Sequence, residues 1–179
     1  MNIVLSSERL LFRKITYDDY IELCKILQNV EIMYAWEHAF TDEEVLDWIK
    51  KNLSRYEEDG FSFFAAIDKN TGAFIGVIGP LIETIEGERH IGIAYILAKE
   101  YWGRGYASEG AAACIKYAFD TLKTDKVIAE IRPNNTSSLK VAERIGMRQE
   151  GEFVKIYKGC KMPHLIYSIT KEVAPNERS

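Results

Sequence analysis

Two hydrophobic periods alternate along this chain. Val45, Trp48, Ile49, Leu53 and Tyr56 recur at helical spacing and predict a helix running from Thr41 to about Glu58. Its start, Thr41-Asp42-Glu43-Glu44, is a capping box, with Glu44 three residues after Thr41. An earlier helix is predicted after Thr16. Thr16 caps it, Asp18 and Asp19 suit its positive end, and Ile21, Leu23, Cys24, Ile26 and Leu27 form its apolar face. Asn29 to Phe40 has neither period and carries Tyr34, Trp36 and Phe40, which serve either core packing or the wall of an acceptor pocket. The strand period appears first over Arg9 to Ile15. Phe61 to Asp68 and Ala73 to Ile82 flank the turn signal Lys69-Asn70-Thr71-Gly72 and read as a hairpin. Gly79-Pro80 predicts a bulge or an edge in the return strand. Glu83 to Arg89 reads as a polar connection leading to Ile91–Leu97, a continuous apolar run and buried strand.

The second half repeats the alternation. Ser108 to Leu122 predicts a helix, Lys126 to Ile131 a buried strand, and Arg132-Pro133-Asn134-Asn135 a loop. Thr136 opens a helix to Ile145, and Gly146 stops it. Gln149 to Tyr157 and His164 to Lys171 predict a closing antiparallel pair. Strands and helices mixed in this order argue for one mixed α/β sheet in a single domain, residues 1–173. The polar tail 174–179 is expected to be mobile.

The candidate chemistry sits between the central strand and the helix after it. Glu100-Tyr101-Trp102-Gly103-Arg104-Gly105-Tyr106-Ala107 makes a strand, glycine-punctuated turn and helix in sequence. The glycines allow close backbone approach, and the first helical amides have no internal partner. The helix dipole favours negative charge there, so a phosphate or pyrophosphate is the natural guest. Neither G-x-x-x-x-G-K-[ST] nor G-x-G-x-x-G is present at this turn. On spacing alone, a plain strand-to-helix connection remains the alternative.

Tyr95-Ile96-Leu97 followed by Tyr-Trp-Gly-Arg-Gly-Tyr-Ala-Ser-Glu resembles the acetyl-coenzyme A loop of the GNAT (GCN5-related N-acetyltransferase) superfamily, and within it the branch that acetylates ribosomal-protein N-termini. Gly105 and Ala107 match the superfamily pattern, while Trp102 stands where Gln or Arg is usual. Asn135 to Met147 resembles the family's Asn-x-x-Ser helix, with Met147 replacing Phe. The resemblance runs from Glu8-Arg9-Leu10 to Ile169. It implies a single-domain GNAT fold, with a mixed, mostly antiparallel central sheet flanked by helices and a central strand that splays from its neighbour. It implies that Tyr95, Ile96 and Leu97 line the pantetheine arm of acetyl-coenzyme A. By the same resemblance the backbone amides of Trp102, Gly103, Arg104, Gly105, Tyr106 and Ala107 hold the pyrophosphate, Arg104 adds charge, and Asn135 binds the arm. Ser138 becomes the acid for the leaving sulfur, because the Tyr common elsewhere in the family is here Ala142. The branch's usual Glu on the central strand aligns with Gly92, which leaves Glu83, Glu88, His90 and Glu130 as candidate bases. Glu83 is the residue selected. Pro163 and His164 lie where the branch often has an Asp.

Composition narrows this further. The chain has 179 residues, 47% hydrophobic and 28% charged, with a formal charge of −4. That balance speaks against a nucleic-acid surface. Cys24, Cys114 and Cys160 are widely spaced, so neither a disulfide framework nor a metal site is expected, and a reduced cytoplasmic setting fits. No signal peptide or membrane span is apparent. The expected activity is direct acetyl transfer from acetyl-coenzyme A to a primary amine, most like protein N-terminal acetylation, by a monomer or homodimer. The alternatives are a small-molecule amine acceptor (polyamine, amino sugar or amino acid) and a non-catalytic acyl-coenzyme A sensor.

Overall fold

The computed structural model describes residues 1–172; the expected tail, 174–179, lies outside them. One eight-stranded sheet carries the fold, in the order β1-β2-β3-β4-β5-β6-β8-β7. Its strands are β1 (Ile3–Ser6), β2 (Leu10–Lys14), β3 (Phe64–Asp68), β4 (Phe74–Ile85), β5 (Glu88–Leu97), β6 (Lys126–Ile131), β7 (Arg148–Tyr157) and β8 (Cys160–Thr170). Every neighbouring pair is antiparallel except β5 and β6. The helices are α1 (Tyr20–Leu27), α2 (Asp42–Glu58), α3 (Tyr106–Asp120) and α4 (Thr136–Arg144).

Strand β3 shows how the sheet makes two cores. All five of its residues are buried, and successive side chains point to opposite faces. Phe64 and Ala66 join Phe12, Ile78, Cys114 and Ala118 on the α3 side. Ala65 and Ile67 join Leu23, Ile26, Val45 and Ile49 on the α1–α2 side. Fully burying each large aliphatic or aromatic side chain contributes about 1.5–3 kcal/mol, so this two-sided burial is the main hold on the sheet.

The capping box at Thr41 is present. Glu44 N–H donates to the Thr41 hydroxyl at 3.2 Å, and the Glu44 carboxylate accepts from Thr41 N–H at 2.8 Å. Other boundaries differ from the sequence reading. A short strand, β1, precedes the predicted first one and pairs with it. Glu83 to Arg89 is no connection: β4 and β5 stay in register to Ile85↔Glu88 across a two-residue turn. Glu86 and Gly87 both take positive φ there, the torsions that match strand twist in such a turn. Gly79-Pro80 carries no bulge. The β3–β4 register shift lies nearer Gly76, and Pro80 lies beyond the last β3–β4 pair, Phe64↔Ile78, so its missing N–H breaks no bond on that side. Helix α3 begins two residues early, at Tyr106, with Gly105 before it. Asn135, rather than Thr136, caps α4, because its side-chain oxygen accepts from Ser138 N–H at 3.2 Å.

Candidate active site

Strands β5 and β6 pair only at Ile91↔Val127 and Gly92↔Ile128, then diverge. The backbone of β5 beyond Gly92 therefore lacks a β6 partner and borders an opening in the sheet. On one side of the opening lies a groove of about 490 Å³. Tyr95, Ile96, Leu97, Trp102, Gly103, Gly105, Tyr106, Ala107, Asn135 and Ser138 all line it. Of the residues predicted to hold the pyrophosphate, Trp102 to Ala107, only Arg104 is not among the lining residues. Its guanidinium lies 5.8 Å from the centre of the Tyr101 ring, and its carbonyl accepts from Arg9 at 3.0 Å.

The groove's geometry follows from local chemistry. Gly105 sits at φ +81°, a conformation that places the turn directly under the first amides of α3. Arg9 fixes that turn from behind: it bonds Glu109 at 2.6 Å and lies over the Tyr106 ring at 4.2 Å. Glu109 also accepts from the Ser7 hydroxyl and Arg9 N–H, and these bonds hold its carboxyl below the usual range against the opposing pull of burial. The Tyr106 hydroxyl donates to Asp68, and the Trp102 indole N–H donates to the Leu97 carbonyl. Both side-chain polar groups are thus committed to bonds within the protein. Lys140 and Arg144 of α4 also line the groove and bring positive charge that the sequence reading did not single out.

Asn135 joins the two sides of the opening. Its Oδ1 accepts from the Tyr34 hydroxyl at 2.7 Å, the Ser137 hydroxyl at 3.2 Å and Ser138 N–H. Its side-chain amide N–H groups make no bond among the described residues and are available to a ligand. The Ser138 hydroxyl likewise has no partner among the described residues, while the Ser138 carbonyl receives a long 3.4 Å contact from the Tyr95 hydroxyl. Asn135→Asp is expected to keep the helix cap and the melting temperature but weaken coenzyme A binding. Asn135→Ala should lose both, the cap costing about 1 kcal/mol. Calorimetry and thermal denaturation on the two variants check this.

On the other side lies a cavity of about 340 Å³, sharing Tyr95, Ile96, Asn135 and Ser138 with the groove. Trp36, Phe40, Trp48, Phe63 and Tyr157 contribute aromatic surface to a lining that is otherwise mostly aliphatic. Glu83 and Glu130 enter it; Glu88 and His90 do not line it, and Glu88 is exposed. A Cβ built on Gly92 would lie 2.7 Å from Glu83 Cγ. Glu83 therefore fills the notch that glycine leaves in the neighbouring strand. Burial, then the Glu130 carboxylate, push the Glu83 carboxyl up to about 7, while Lys155 and Arg55 pull it back. Lys155, which the sequence reading missed, bonds Glu130 at 3.0 Å and lies 3.8 Å from Glu83. His164 also lines the cavity, its ring nitrogen against the Met162 carbonyl, and burial pulls its pKa down. Away from the cavity lining, Lys158 of the β7–β8 turn bonds Glu44 at the start of α2 at 2.5 Å, and Glu44 bonds His38 at 2.7 Å.

An acetyltransferase (GNAT) domain model matches residues 9–148. The chain belongs to the GNAT acetyltransferase family. It is 33% identical over 144 residues to the Bacillus subtilis protein YkkB, covering 80% of this chain and 84% of that one. A GNAT-family acetyltransferase structure from Bacillus anthracis superposes with a TM-score of 0.79 at 30% identity, covering 94% of this chain and 98% of that one. At lower identity, the same fold occurs in two Vibrio enzymes. Ribosomal-protein-S5-alanine acetyltransferase from Vibrio fischeri has a TM-score of 0.75 at 22% identity, over 97% of this chain and all (100%) of that one. Spermidine N-acetyltransferase from Vibrio cholerae, in complex with CoA and spermine, has a TM-score of 0.75 at 20% identity, over 92% and 97%. The GNAT protein is thus an acetyl-coenzyme A-dependent N-acetyltransferase. Among the described residues no cluster of metal-binding side chains exists, and no helix is long and apolar enough to cross a membrane.

Proposed function

We propose that this GNAT enzyme acetylates a small primary amine with an apolar body, with Glu83 as the general base and Ser138 beside the departing sulfur. The observation that carries this reading is the Gly92 notch filled by Glu83. A base must reach the amine's proton from within the acceptor cavity, and a carboxyl poised near neutrality suits that task. The absence of Glu at position 92 is then a relocation: the carboxyl arrives from β4 instead of β5. In the reaction, the neutral amine nitrogen bonds the thioester carbonyl carbon and the C–S bond breaks. An acceptor that arrives as an ammonium first loses one proton through Glu83 to solvent. As the C–N bond forms, the nitrogen's next proton goes to Glu83, and the thiolate, held by a hydrogen bond from the Ser138 hydroxyl, takes its proton from solvent. On the donor side, Asn135 orients the arm. The amides from Trp102 to Ala107 hold the pyrophosphate, with Lys140 and Arg144 nearby.

The aliphatic and aromatic lining favours an apolar body, and a volume of about 340 Å³ favours a small one. A protein N-terminus is the second reading, favoured by the likeness to the Vibrio fischeri enzyme. It requires room for a peptide chain beside a cavity of only about 340 Å³. Thiol release from acetyl-coenzyme A, measured with arylalkylamines, polyamines and short peptides, tests the choice. Arylalkylamines are expected to give the highest kcat/KM. Peptides exceeding them would reverse the assignment.

A further inference from the structure

The Glu83–Glu130–Lys155 cluster holds more charge than a proton transfer needs. Glu130 is deeply buried, its side chain only 7% exposed. One of its oxygens, Oε2, bonds Lys155. The other, Oε1, is buried without a hydrogen-bond partner while Glu83 is ionised; only a protonated Glu83 can donate to the Glu130 carboxylate. Such an oxygen is costly to leave unpaired, so an absent partner is a statement about what the site receives. Lys155 does not supply it: its ammonium has three N–H donors but reaches one Glu130 oxygen, and 3.8 Å to Glu83 is too long for a hydrogen bond. Its side chain is 46% exposed, so the ammonium has a route back to solvent.

We propose that the Glu83–Glu130 pair is the seat of the acceptor's ammonium group, and that Lys155 occupies this seat until the acceptor displaces it. The proposal rests on the reading of Glu83 as the acceptor-side base. An incoming ammonium carries the same three donors as Lys155. Entering from the cavity, it meets Glu83 and the unpaired Glu130 oxygen together. Two ammonium groups in one seat repel, so Lys155 moves outward as the acceptor arrives. Other cations already surround the pair: Arg55 and Lys51 from α2 act on Glu83, and Arg132 lines the same cavity; His164, whose pKa burial lowers, lines it as a neutral ring. Retaining both Lys155 and a substrate ammonium would add to that repulsion. The lysine also indicates the chemical class. Its end is an unhindered alkylammonium, so the acceptor is a primary alkylamine that arrives charged. An arylamine, neutral near pH 7, lacks the charge that evicts the lysine.

The test is binding, independent of turnover. Calorimetry on the coenzyme A-saturated protein compares 2-phenylethylammonium with 2-phenylethanol, its uncharged counterpart, for wild type, Lys155→Met and Glu130→Gln. Methionine keeps much of the lysine's apolar stem and removes its charge; Lys155→Gln is the second variant if the first does not fold. Removing the resident cation should tighten 2-phenylethylammonium by about fivefold or more and leave 2-phenylethanol unchanged. Glu130→Gln should weaken the ammonium by about tenfold. A purely structural Lys155 would instead make both probes bind more weakly on removal, and that result overturns the proposal. So does unchanged ammonium affinity, or no binding in any of the proteins. If the ammonium binds as expected but no amine is acetylated, the seat stands and the proposed reaction fails.

Discussion

Glu83→Gln is expected to lower kcat by about 10²- to 10³-fold while leaving coenzyme A affinity unchanged, because general-base catalysis contributes on that scale. The glutamine keeps the shape that fills the Gly92 notch and removes the proton acceptor. Wild type should also lose kcat/KM as pH falls through about 7, since the Glu83 carboxyl must be ionised to accept a proton. That limb should vanish in the variant. The groups that set it come from three elements: Glu130 on β6 raises the Glu83 pKa, while Lys155 on β7 and Arg55 on α2 lower it. The stability consequence has the opposite direction to the activity. Glu83 titrates higher folded than unfolded, so the folded protein holds its proton more tightly. That contribution to stability is full below the ordinary carboxyl value of 4.5 and is lost as pH rises through about 7. Wild type should therefore lose melting temperature relative to Glu83→Gln over the same window in which it gains activity. Initial rates and melting curves across pH read both. A kcat within about threefold of wild type would mean that water, rather than Glu83, takes the proton.

The donor side of this site was legible in the sequence because it is local. Strand, glycine turn and helix follow one another directly from Glu88 to Asp120, and each has a short-range signal: the apolar run to Leu97, Gly103 and Gly105, then α3. The acceptor side is made by register and was much less legible. Glu83 meets Gly92 only because β4 and β5 stay paired through Leu81↔Gly92 and Glu83↔His90. Reading Glu83 to Arg89 as a connection cut that hairpin short, since Glu-Gly is a weaker turn signal than Asn-Gly or Asp-Gly. Lys155 had no local cue at all. It is a half-exposed lysine on an outer strand, and its two carboxylates arrive from β4 and β6. At α4 the difficulty was one residue wide: Asn135 and Thr136 are both good caps, and only the placed side-chain oxygen distinguishes them. Strand β1 is four residues long and half-buried, too short for a period to register.

Gly105→Val should abolish measurable coenzyme A binding, a loss of about a hundredfold or more, in a protein that still folds. Two effects combine. At φ +81° an L side chain is strained, at about 1–2 kcal/mol, and a β-branched one more so. In the free protein the added Cβ meets only the Arg9 guanidinium, at 3.4 Å, so crowding within the chain is mild. The larger effect falls on the ligand: a residue that resists φ +81° distorts the turn presenting the first α3 amides, to which a phosphate must come within hydrogen-bond distance. A control separates the two. Gly60, after α2, has φ +85° with nothing within 4 Å, and it does not line the groove. Gly60→Val therefore carries a comparable torsional penalty away from the site. Both variants should melt a few degrees below wild type, as about 1 kcal/mol does for a domain of this size. Only Gly105→Val should lose coenzyme A in titration calorimetry. If the two variants bind alike, the pyrophosphate does not rest on this turn, and Lys140 and Arg144 of α4 become the residues to test next for phosphate binding.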